Sequence, residues 1–144
     1  MSESRGSRTE IASPDADTSA TRADTSAASV DSLVELRDAL RRFAAERDWQ
    51  QFHTPKNLAI ALSVEASELL EHFQWLSDAE SQALDESQIA RVREEIADVL
   101  LYLVRLADRL DVDLLTAARD KLALNAEKYP ANKARGSSRK YTDL

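Results

Sequence analysis

The chain has 144 residues and a formal net charge of −7, enough for one domain but too short for two independent cores. With 2 Gly and 3 Pro it lacks the turn chemistry of an all-β sandwich or barrel, and the absence of Cys excludes disulfides and thiolate metal sites. The acidic balance argues against a nucleic-acid binder working by general attraction, and no apolar run reaches the length of a membrane span.

Residues 1–30 are mostly Ser, Thr, Ala, Asp and Arg, with Ile11 almost the sole large aliphatic. Such a segment cannot bury enough surface to offset its ordering entropy, so a disordered tail is expected. It contains no apolar stretch for a secretory signal, and Glu3, Glu10, Asp15, Asp17 and Asp24 are out of place in a mitochondrial transit peptide. The cytoplasm is the expected compartment.

A helical domain is expected over 31–130. Leu33, Leu36, Leu40 and Phe43 recur at three- and four-residue spacing, the stripe of an amphipathic helix capped by Asp31 or Ser32 and running to about Arg47. The loop 48–53 that follows, Asp48 to His53, is unusually aromatic for a connection. Thr54 and Pro55 then form a cap with proline in the first turn, opening a second helix that carries Leu58, Ala61, Leu62, Glu65, Leu69 and Phe73 and ends near Trp75.

Residues 77–87 read as a polar linker or short turn. A third helix over about 87–110 presents Val92, Ile96, Val99, Leu103, Leu106 and Leu110. The fourth begins near Asp113, carries Leu114, Leu115, Ala118, Leu122 and Tyr129, and is stopped by Pro130. Residues 131–144 form a basic tail with Lys133, Arg135, Arg139 and Lys140 against Asp143. Short connections between four helices predict an all-α four-helix bundle. The second and third helices have apolar residues on more than one side, among them Leu100, Leu101 and Val104, which predicts a homo-oligomer.

The chemistry-bearing feature is a pair of acidic spacings on the two most apolar helices, Glu65 with Glu68 and Glu95 with Asp98. Residues three apart share a helix face, so each pair projects two carboxylates the same way, beside stripes that should point inward. Four converging carboxylates would repel one another, and either protonation or a bound cation would relieve them. An all-oxygen donor set favours Mg²⁺, with Mn²⁺ as the alternative. A di-iron bundle would want two Glu-x-x-His pairs, whereas His72 follows Glu68 at four residues and His53 stands alone.

The two acidic pairs, separated by 26 residues, resemble the metal motif of the all-α, MazG-like nucleoside triphosphate pyrophosphohydrolases. The stretch Phe43 to Trp49, then Gln51, Phe52 and His53 with Pro55 and Asn57, Phe73 to Trp75, Asp98 to Tyr102, and Lys140 to Asp143 are similar to the branch acting on dCTP. The resemblance covers roughly residues 31–144. It implies Mg²⁺-dependent cleavage between the α and β phosphates, with Glu65, Glu68, Glu95 and Asp98 holding the metal. It also implies a nucleotide site built from Trp49, Gln50, Gln51, Phe52, His53, Trp75 and Tyr102, in a dimer or tetramer.

Within that resemblance dCTP is the expected substrate, with dUTP or modified pyrimidine triphosphates as the alternative, since Leu40 stands where related enzymes carry a substrate-contacting histidine. Chemically, phosphoanhydride hydrolysis requires charge neutralisation and a positioned water, with Glu68 the candidate general base. Trp49, Trp75 and Tyr102 offer flat faces for a base, and their alternative role is to cover the core. Lys121 and Asn125 share a face of the fourth helix that reads best as solvated. The rival from another class is a non-catalytic helical interaction module.

Overall fold

The computed structural model describes residues 32–143, so the expectation of a disordered tail over residues 1–30 lies outside the described residues. Among the described residues every regular element is helical: α1 (Leu33–Glu46), α2 (Pro55–Glu71), α3 (Asp78–Ser81), α4 (Glu86–Arg109), α5 (Leu114–Lys128) and α6 (Ala131–Ala134). Short 3₁₀ turns lie at Trp49–Gln51 and Tyr141–Asp143. No helix among the described residues is long and apolar enough to cross a membrane.

Each long helix starts where a short polar side chain satisfies a free backbone N–H. Ser32 accepts from the Glu35 amide, Thr54 from Asn57, and Asp113 from Thr116. Asp85 and Gln88 form a reciprocal capping box that sets the start of α4. The linker expected over 77–87 contains a second such box, in which Ser77 and Glu80 bond each other's backbone and wind the single turn of α3. The second helix stops at Glu71, short of Trp75, and Phe73 to Trp75 lie in the turn beyond it.

At their C-terminal ends, α1 and α4 are both followed by an aspartate in the left-handed region, Asp48 (φ 53°) and Asp111 (φ 54°). Short polar side chains tolerate that conformation better than most residues. Behind Asp111, the Val112 amide donates to the Ala107 carbonyl at 2.9 Å, reversing the chain into α5.

α2 packs extensively on α4, and α1 packs on α4 over a smaller area. The core sits between these three helices, with Ala44, Leu58, Val92, Val104 and Ala107 buried. Leu58 is 1% exposed, and Leu58→Ala is expected to cost about 3 kcal/mol, read by denaturant unfolding at fixed protein concentration. α5 contributes no buried residue, and Leu122 on its surface is 70% exposed. The basic tail returns to the end of α5, where the Tyr141 ring meets Tyr129 edge-to-face at 5.9 Å and Lys128 Nζ lies 5.5 Å from the Tyr141 ring centre.

Candidate active site

The site grows from the face that α2 turns toward α4. Glu65 on α2 and Glu95 and Asp98 on α4 bring one carboxylate oxygen each to within 4.8 Å of one another. All three are partly buried. Burial raises the Glu65 carboxyl above its ordinary value, and the charges of Glu68, Asp98 and Glu95 raise it further. Three close carboxylates from rigid helices form an all-oxygen donor set that suits a hard divalent cation, whose charge would offset their mutual repulsion.

Glu68, the fourth acid of the sequence pattern, lies outside this triplet and is exposed, although its charge still reaches Glu65. His72 Nε2 stands 3.9 Å from Glu95 Oε1, a neighbour that the acidic spacing does not reveal.

Asp98 also opens onto a cleft of about 200 Å³ lined by Leu40, Phe43, Trp49, His53, Leu101, Tyr102 and Arg105. Its far wall is made by the turn after α1. Asp48 reverses the chain, its carbonyl and carboxylate accept from Gln51 Nε2, and the Trp49 carbonyl accepts from the Phe52 and His53 amides. Asn57 Nδ2 donates to the Phe52 carbonyl at 2.9 Å and ties the turn to α2. The result is an aromatic stack in edge-to-face contacts, with Trp49 5.8 Å from Phe43 and 6.2 Å from His53.

The structure therefore brings Trp49, His53 and Tyr102 together beside the acidic triplet. Gln50 faces a separate polar hollow with Arg41, Arg105, Asp108 and Arg109. Gln51 is spent on holding the turn, and Phe52 is exposed. Trp75 is 86% exposed and does not line the cleft of this single chain.

One cleft residue is not marked by the acidic or aromatic pattern. Arg105 is buried, donates from Nε to His53 Nδ1 at 3.2 Å, and from Nη1 to Asp108 Oδ2 at 2.6 Å. Asp108 in turn accepts from Arg41 Nε at 2.9 Å, linking α1 to α4. Burial opposes ionisation of Asp108, but the bonds and charges of Arg41 and Arg105 outweigh it and hold the carboxyl below its ordinary value. Desolvation lowers the His53 pKa, and the Arg105 and Arg109 charges lower it further. The sequence does carry one signal for Arg105: it continues the helical stripe Asp98, Tyr102, Arg105.

The chain resembles known proteins over most of its length. Residues 60–144 match the MazG-like family. The chain is 51% identical over 114 residues to dCTP pyrophosphatase 1 of Rattus norvegicus, covering 78% of this chain and 67% of the relative. The same enzyme from Homo sapiens is 50% identical over the same shares. A crystal structure of a pyrophosphatase from Archaeoglobus fulgidus superposes with a TM-score of 0.65 at 45% identity, covering 68% of this chain and 92% of that one.

Proposed function

The chain belongs to the MazG-like family, and from that premise we propose that it is a nucleotide pyrophosphohydrolase that converts dCTP to dCMP and pyrophosphate. One observation carries the reading: Asp98 belongs both to the carboxylate triplet and to the wall of the aromatic cleft. A nucleotide with its base in the cleft thus has its phosphates beside the acids.

Glu65, Glu95 and Asp98 are the residues that would hold Mg²⁺, with Glu68 as the outer member of the set. When bound, that ion supplies neutralisation of the phosphate charge and orientation of the attacking water. The protein's own groups do the rest. Trp49 and Tyr102 offer flat faces to the base, and Leu40, Phe43 and Leu101 give it apolar contact. Glu68, exposed at the edge of the triplet, is the group proposed to take the proton of the water.

A homo-oligomer, dimer or tetramer, belongs to the same proposal. Leu100, Leu103, Leu115, Leu122 and Trp75 are exposed apolar surface that a second chain would cover. Action on the cytoplasmic nucleotide pool is part of the same proposal.

The test is a product assay over a panel of deoxynucleoside triphosphates with and without Mg²⁺. Metal-dependent release of pyrophosphate and dCMP from dCTP is expected. Release of orthophosphate and the diphosphate would place cleavage at the other anhydride and overturn the reading. Preference for a purine would overturn it equally.

A further inference from the structure

The polar part of the cleft has an asymmetry that the proposed reaction does not use. Its walls are Leu40, Phe43, Trp49, Leu101 and Tyr102, and beside the Asp98 carboxylate and the Tyr102 hydroxyl its polar side chains are His53 and Arg105. These two are bonded to each other, Arg105 Nε–H donating to His53 Nδ1 at 3.2 Å. An arginine nitrogen can only donate, so Nδ1 must be the unprotonated nitrogen and the ring proton must sit on Nε2.

Arg105 is held to that task from behind. Its side chain is 7% exposed and its Nη1 is fixed on Asp108, itself 5% exposed and bound on its other oxygen by Arg41. The anchor spans α1 and α4, so the guanidinium is placed by the packing of two helices and not by the loop it orients. His53 is further fixed by its ring contact with Trp49. The bonds to His53 and Asp108 occupy only part of the guanidinium's N–H set.

We propose that Arg105 is a positioning residue that locks His53 in its Nε2–H tautomer, so that His53 offers the cleft a donor and selects cytosine over uracil at N3 of the base. The proposal rests on the pyrophosphohydrolase reading and names the feature of the base that the site recognises. Cytosine carries two adjacent acceptors, N3 and O2. Uracil replaces the first with an N–H donor, which would meet the Nε2–H donor of His53 and leave both without a partner.

Two measurements on the full-length protein test this. Nitrogen-15 imidazole spectra, with the His53 signals identified by their loss in His53→Leu, are expected to show Nδ1 unprotonated and Nε2 protonated. The opposite assignment in the wild-type protein overturns the proposal. In Arg105→Met the fixed tautomer is expected to give way to an exchanging mixture. The ratio of kcat/KM for dCTP over dUTP should fall about tenfold or more.

A folded Arg105→Met protein that keeps both the tautomer and the ratio overturns the proposal. Should Arg105→Met fail to fold, His53→Leu leaves the Arg105–Asp108 pair in place and must lose the same discrimination; retention of the ratio there is equally fatal. Wild-type protein that releases no pyrophosphate from either nucleotide would defeat the enzymatic reading instead, and the spectra separate that failure from this one.

Discussion

Glu95→Gln and Asp98→Asn are each expected to reduce dCTP turnover about a thousandfold or more, the scale on which loss of a group stabilising transition-state charge is felt. Both substitutions keep the size of the side chain and remove one anionic oxygen donor from a set of three within 4.8 Å. Cation affinity should fall with turnover, because the remaining pair offers less charge to a hard ion. Excess Mg²⁺ should restore part of the rate for a weakened site, and calorimetric titration of the metal checks this directly.

Glu68→Gln provides the contrast. Its carboxylate stands outside the triplet, so loss of turnover with Mg²⁺ binding retained would fit a proton acceptor. Full turnover with intact metal binding would remove Glu68 from that role. Unchanged activity in both Glu95→Gln and Asp98→Asn would end the metal-site assignment altogether.

Asp108→Asn is expected to lower stability by about 3 kcal/mol. The substitution leaves the Arg105 charge buried with its anionic partner gone, and removing one member of a buried pair costs more than the pair contributes. Arg41, half in solvent, loses less by the change, which places the value at the lower end of the usual range. Thermal unfolding at matched protein concentration reads the difference, since any oligomer makes the midpoint depend on concentration.

The acid dependence follows from the direction of the Asp108 shift. Its folded-state carboxyl lies below the ordinary value of 3.8, so its ionised form stabilises the fold above that pH. The contribution is lost as pH falls through the lower, folded value. Asn cannot titrate, so the gap between wild type and Asp108→Asn should be full near neutrality and close in that acid window. A gap of constant size down to the same pH would mean that shape, not charge, carries the effect.

Most of the architecture is legible in the sequence. The caps Ser32, Thr54 and Asp113 and the stop at Pro130 are local rules, each settled within a few residues, and they place the four long helices close to where they lie. The departures are also local in kind. The capping box of Ser77 and Glu80 makes a helical turn out of a segment whose polarity suggests a linker, and α2 stops at Glu71, before the aromatic stretch that the apolar pattern includes.

The site divides along a similar line. Paired spacing on one helix face puts Glu95, Asp98 and Tyr102 together, because a helix repeats its faces whatever surrounds it. Glu68 fares differently: its partner spacing is the same as that of Asp98, but α2 turns it to the exposed side while Glu65 meets α4.

By itself, then, the sequence determined that the chain is helical, where its long helices begin, and that acids accompany apolar stripes, because propensity, capping and periodicity act over a few residues. Which acid of the α2 pair joins the cluster was decided only by the packing of α2 on α4. That the turn after α1 carries Trp49 and His53 to Asp98 was decided the same way, as was the pairing of Arg105 with His53. These are contacts between residues as many as 52 positions apart, and no local rule reaches that far.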